Sequence, residues 1–207
     1  MPLKTLPTQT GNSCAAHCIA ITIMELTGST ITQKDAESTI WNKILFKDDG
    51  SKAIKALVAK KNSDPRRILK YVEKNYATNL SAVIKFDDTE KANALAYLPD
   101  NDVKRGLEGL YNLIKGQSQT ETLLPADDVY YNCSYMMMDG GDPSSSGLDG
   151  LHNILVTSSG GQVYYYNSNE TKPVWTMNNH GWKRLDKANS GKHSYVFTGL
   201  CVAVRKK

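Results

Sequence analysis

The chain has 207 residues, 40% hydrophobic and 22% charged, a size and balance able to bury a core, which excludes a disordered chain, a collagen and a staple-dependent mini-protein. Twenty-five basic residues against 21 acidic give a net charge of +4. The basic positions (Lys60-Lys61, Arg66-Arg67, Arg205 to Lys207) are scattered rather than gathered in one stripe, so no nucleic-acid partner is expected.

The chain reads as two stretches of different punctuation. From Ser13 to Gly116 the pattern is mostly helical: Cys14 to Thr27 ending at Gly28, Gln33 to Leu45, Ala53 to Lys61, Pro65 to Asn75 behind an Asp64 cap, and Asp102 to Lys115 ending at Gly116. Leu80 to Phe86 fits a short strand or a buried connection equally well. From Leu123 onward strands are expected over Val129 to Met138, His152 to Thr157, Gln162 to Asn167, Pro173 to Met177 and Tyr195 to Val204. Asp139 to Gly150, rich in Gly and Ser, reads as a surface loop in which Asp139, Asp142 and Asp149 have no assigned role. The expectation is one α+β domain over 1-207, with a helical lobe over about 1-120 packed on an antiparallel β lobe over about 121-207.

The longest apolar run, Cys18 to Met24, falls far short of the roughly 20 residues that cross a bilayer, so no membrane partner is expected. Met1 to Ser13 has one Lys and no apolar core of a signal peptide. The default compartment is cytoplasmic, with secretion or translocation by a non-Sec route left open. Cys14, Cys18, Cys133 and Cys201 form no CxxC pair, so reduced thiols are expected, and Cys14, His17 and Cys18 have no second ligand pair for a metal.

Cys14 stands at the start of the first helix, with Asn12 or Ser13 placed to cap. Free backbone N–H groups and the positive end of the helix dipole would favour a thiolate there. The rest of that helix is apolar nearly all round and should be buried. A thiolate needs a base, and His152, at the head of the run HNILV, is the candidate. His180 and His193 are rival bases read as surface-loop residues, and His17 ranks below His152 because of its approach angle along the helix. An orienting acceptor follows from hairpin register. A four-residue loop over Ser158 to Gly161 puts Asn167 opposite His152, whereas a two-residue Gly160-Gly161 turn puts Asn169 there. Asn167 is favoured because it ends the Val163 to Tyr166 run. Gln9, five residues before Cys14, can supply an oxyanion donor together with the Cys14 N–H.

In this order, Gln9, Cys14 in NSCAAHCIA, then His152 and Asn167 in HNILVTSSGGQVYYYN, the chain resembles the papain-like cysteine peptidase superfamily. Ala15 stands where a Gly often follows the nucleophile. The segment after Tyr166 reads Asn-Ser-Asn-Glu rather than Asn-Ser-Trp, so the resemblance is to a distant bacterial branch of secreted or translocated proteases and deamidases, or of peptidases that process leader peptides. The resemblance implies a Cys14 nucleophile, a His152 base, Asn167 as orienter and Gln9 as oxyanion donor. It implies acyl transfer on a protein or peptide substrate through a thioester, without metal or organic cofactor. Cysteine protease is the leading expectation; glutamine deamidase, transamidase and cell-wall peptide amidase share the chemistry. A catalytically silent module of this fold, or an interaction protein with exposed tyrosines (Tyr130, Tyr131, Tyr164, Tyr165, Tyr166), are the non-enzymatic readings.

Overall fold

The computed structural model describes residues 3–50, 54–98, 102–138, 148–177, 181–185 and 193–207. It is an α+β fold. Helix α1 (Cys14–Thr27) closes at Gly28, whose φ of 75° lets its N–H reach back to the Met24 carbonyl. Every α1 side chain except Glu25 and Thr27 is buried, as an apolar helix without a polar face requires.

The stretch expected as one helix from Gln33 is a π-helical segment (Asp35–Ile40) running into α2 (Trp41–Ile44). Helix α3 (Lys55–Ala59) is shorter than expected. Helix α4 (Pro65–Tyr76) starts as its sequence predicts: Asp64 accepts the Arg66 N–H, and Pro65 fills a first-turn position that needs no donor. Helix α6 spans Asp102–Ile114. An unanticipated helix, α5 (Asp88–Tyr97), is capped by the buried Asp87, which accepts from the Thr89 and Glu90 amides. Its hydrophobic periodicity is weak: it packs on β8 with the small Ala94 as its buried residue rather than along an apolar stripe.

Strand β1 (Leu80–Phe86) resolves the ambiguous segment, and β2 (Ser118–Thr120) follows the last helix. The remaining strands are β3 (Val129–Met138), β4 (Leu148–Ser159), β5 (Gln162–Tyr166), β6 (Val174–Met177), β7 (Arg184–Leu185) and β8 (Ser194–Lys206). Their order is β2-β1-β8-β3-β4-β5-β6, with β7 also paired to β8.

Three expectations need correction. The sheet is mixed rather than antiparallel, because β1 and β2 run parallel. A clean division near residue 120 does not hold either, since β1 pairs with β8 along its whole length and binds the first stretch into the sheet of the second. Strand β4 begins at Leu148, so residues 148–150 belong to a strand and not to the expected loop, and His152 lies within the strand opposite Tyr135 instead of opening it. Residues 139–147 of that loop, with Asp139 and Asp142, lie outside the described residues, as does the Asp149 side chain.

Alternation along β3, β4 and β8 feeds two cores. Met136, Leu155, Val202 and Val204 face α1 and the other helices, while Tyr135, Ile154, Tyr165 and Phe197 fill the opposite face with Trp182 and Leu185. Gly199 marks a bulge in β8. Its φ is 80°, and a Cβ there would lie 2.5 Å from the Asp87 carbonyl oxygen, so only glycine lets β8 pass the start of α5. Among the described residues no helix is long and apolar enough to cross a membrane.

Candidate active site

α1 packs against β4, and this contact brings Cys14 beside the strand that carries His152. Gln9, Cys14, His152 and Asn169 line one cavity of about 130 Å³, together with Gly11, Asn12, Asn62, Ser63, Met137, Leu151 and Asn153. None of these side chains is acidic or a Lys or Arg. Asn167 is not part of the lining; it stands behind His152.

The His152–Asn167 pair is direct, with Nε2 to Oδ1 at 2.7 Å, and both side chains are buried. The orientation of the amide follows from its other partners. Asn167 Oδ1 also accepts the Asn169 backbone N–H at 3.0 Å, and its Nδ2 donates to the Tyr195 hydroxyl at 3.1 Å. Asn167 therefore presents an acceptor, so His152 carries its proton on Nε2 and keeps Nδ1 unprotonated as the basic nitrogen. The Tyr195 ring lies against the imidazole, with centroids 5.3 Å apart.

The hairpin register that produces this pair is not the one first favoured. Ser159 pairs with Gln162 and Leu155 with Tyr166, so the turn is the two-residue Gly160-Gly161, with φ of 58° and 79°. Extended, that register puts residue 169 across from His152 and makes Asn167 its diagonal neighbour on the same face. The ladder stops at Tyr166. The chain then folds over, with the Asn167 N–H on the Pro173 carbonyl and the Glu170 N–H on the Asn167 carbonyl, which swings the Asn167 amide onto the imidazole.

Cys14 sits at the uncapped end of α1. Ser13 Oγ donates to the Thr10 carbonyl and Asn12 Nδ2 to the Lys60 carbonyl, so neither caps the helix. The sulfur receives the Asn153 backbone N–H at 3.3 Å and faces Asn153 Oδ1 at 3.9 Å; no hydrogen bond joins it to His152. Burial pushes the Cys14 thiol up, against the pull of the Asn153, Ala15 and Cys14 N–H groups. This corrects the expectation of a thiol lowered by the helix end: desolvation outweighs the nearby donors. Burial likewise lowers His152 to about 4, against the Asn167 hydrogen bond that raises it and with a smaller push in the same direction from His193. Thiol and imidazole are thus both neutral at rest.

Gln9 is half-buried and held on two sides. Its backbone N–H reaches the Ser168 carbonyl at 2.9 Å, its Oε1 accepts from Ser168 Oγ, and its Nε2 donates to the Gly11 carbonyl at 2.7 Å. The second N–H of that amide has no acceptor among the described residues.

Of the rival bases, His17 is fully buried and bonded to Glu37 and Tyr166, away from the cavity lining. His193 is half-buried near Tyr195, just before β8, and His180 lies outside the described residues. All four cysteines are free and buried. The five tyrosines considered as an exposed patch are not exposed: Tyr131, Tyr165 and Tyr166 are buried, Tyr130 and Tyr164 half-buried.

Sequence reasoning missed Asn153, Asn132, Ser168 and Tyr195. Asn153 Nδ2 donates to Asn132 Oδ1 at 3.0 Å, and Asn132 Nδ2 reaches the Ala15 carbonyl at 3.4 Å, a short amide relay from β4 through β3 to the start of α1. An Asn at the centre of the apolar strand VYYNCSYMMM was the available signal, since a buried amide needs a partner. No family model matches the chain, and a search of the curated proteins finds no match.

Proposed function

We propose that the protein is a thiol-dependent hydrolase of papain-like type acting on peptide or carboxamide bonds, with a cysteine protease as the leading reading. The observation that carries it is His152, held by the buried Asn167 with its basic nitrogen left free, lining one cavity with Cys14 at an uncapped helix N-terminus. The loss of an exposed tyrosine patch weighs against a plain interaction protein. In this reading Cys14 Sγ attacks the carbonyl carbon of the substrate. Because burial keeps both groups neutral, the thiol proton passes to His152 as the S–C bond forms rather than before it. The resulting oxyanion is met by the first-turn N–H of Cys14 and the Gln9 amide, with the amide of Asn153 alongside. His152 then protonates the leaving amine, and water, deprotonated by the same imidazole, cleaves the thioester. Deamidation, transamidation and amidase action on cell-wall peptides follow the same steps and differ in the substrate and second nucleophile.

The test is iodoacetamide labelling of wild type, Cys14→Ala and His152→Ala across pH 5 to 9, with mass spectrometry to identify the sulfur that reacts. Cys14 should label at least about tenfold faster than Cys18, Cys133 or Cys201, and His152→Ala should remove most of that advantage. The His152 dependence is decisive, because Cys14 is also the least buried of the four. Equal, slow labelling of all four thiols in a folded sample would leave a catalytically silent binding module.

A further inference from the structure

The segment that carries Glu37 is a π-helical turn, a rare backbone state frequent at functional sites, and it stands beside the arm that carries Gln9. Glu37 gathers four donors. Oε1 accepts the Thr10 backbone N–H at 2.8 Å, Gln33 Nε2 at 3.0 Å and His17 Nε2 at 3.1 Å, while Oε2 accepts Thr10 Oγ1 at 2.5 Å. Gln33 Nε2 also donates to the Thr8 carbonyl at 3.0 Å, so the residues on both sides of Gln9 are tied to the Gln33–Glu37 pair.

The same carboxylate reaches the rest of the site through His17. That imidazole sits one turn along α1 from Cys14, and its Nδ1 lies 3.3 Å from the hydroxyl of Tyr166, the residue before Asn167. With His17 neutral in its buried site, Nε2–H donates to Glu37 and Nδ1 accepts from Tyr166. The arm that bears Gln9 and the helix that bears Cys14 therefore meet at Glu37, and the end of β5, just before Asn167, joins them through His17. Although partial burial disfavours its charge, the hydrogen bonds win and hold Glu37 at about 2, so it is a carboxylate throughout the working range.

We propose that Glu37 is a positioning residue: by gripping Thr10 through both its N–H and its hydroxyl, it holds the Gln9 amide where a developing oxyanion would sit. The inference rests on the reading of Cys14 as nucleophile and Gln9 as oxyanion donor, and its test separates the two. Two reactions at Cys14 are compared in the full chain. Iodoacetamide alkylates the sulfur by displacement of iodide and forms no oxyanion. p-Nitrophenyl acetate acylates it through a tetrahedral oxyanion, forming the thioester S–C bond, releasing p-nitrophenolate and passing the thiol proton to His152 and then to solvent.

Glu37→Ala and Gln9→Ala should each slow the p-nitrophenolate burst by about tenfold or more while alkylation stays within about twofold. In a Gln9→Ala background, Glu37→Ala should add less than about a further twofold. Glu37→Gln should recover most of the burst, because its Oε1 keeps three donors and its Nε2 can donate to the Thr10 hydroxyl. Thr10→Val, which removes one grip and leaves the carboxylate in place, carries the test if Glu37→Ala does not fold; it should slow acylation and not alkylation. Equal slowing of both reactions, or a Glu37 effect undiminished without Gln9, would overturn the proposal and leave Glu37 a purely structural residue. A wild-type protein whose Cys14 neither alkylates preferentially nor acylates overturns the underlying reading instead.

Discussion

Replacement of His152 by Gln tests the protonation state on which the reaction scheme depends. The folded protein holds this imidazole at about 4 rather than its ordinary 6.5, because charging it would place a cation in a buried site. Between those values the unfolded chain binds a proton at His152 that the folded chain refuses, so stability is full above pH 6.5 and falls as pH drops toward 4. At pH 4.5 the loss relative to pH 7 amounts to about 2 kcal/mol from this one group. Gln cannot titrate but can still donate to Asn167. Urea unfolding at pH 7.0 and 4.5 should therefore show wild type losing about 2 kcal/mol more than His152→Gln on acidification. Glu37 does not confuse the comparison, since its own stabilisation fades only as pH falls from about 4.5 toward 2 and does so equally in both proteins. A thiolate–imidazolium pair would reverse the sign, with His152 raised in the folded state and stability lost as pH rises. Equal losses in the two proteins, or a wild type that gains on acidification, would refute the neutral resting pair.

Other outcomes follow from single contacts. Asn167→Asp keeps the acceptor 2.7 Å from Nε2 and adds a negative charge, so the His152 titration, read by NMR, should move upward from about 4. Asn167→Ala leaves His152, Tyr195 and the Asn169 N–H without this partner and should cost about 3 kcal/mol in urea unfolding, together with the His152-dependent part of Cys14 labelling. Gly199→Ala forces a methyl within 2.5 Å of the Asp87 carbonyl at a φ of 80° and should destabilise the fold by about 3 kcal/mol; thermal unfolding as stable as wild type would mean that the bulge is not held there.

Local chemistry made much of this protein legible from its residues alone. An apolar run closed by Gly28 could only be a buried helix ending at a left-handed residue, and Asp64 before Pro65 announced the start of α4. Aromatic and β-branched enrichment between turn residues located β3, β5 and most of β8, and the residues with acyl-transfer chemistry stood out as types. The sequence also held the right partner for His152, but by way of the wrong hairpin register. Loop length fixes strand pairing, whereas the Asn167 contact arises from the turn after the ladder ends, set by distant bonds to Pro173, Asn169 and Tyr195. Tertiary structure alone decided that β1 crosses into the sheet, because one short apolar strand carries no record of which edge it will join. It also decided the charge state of Cys14 and His152. A helix N-terminus favours a thiolate by short-range dipoles that sequence can foresee, but the desolvation that overrides them depends on how closely β4, the Gln9 arm and α1 pack around the two groups, and no local pattern encodes that.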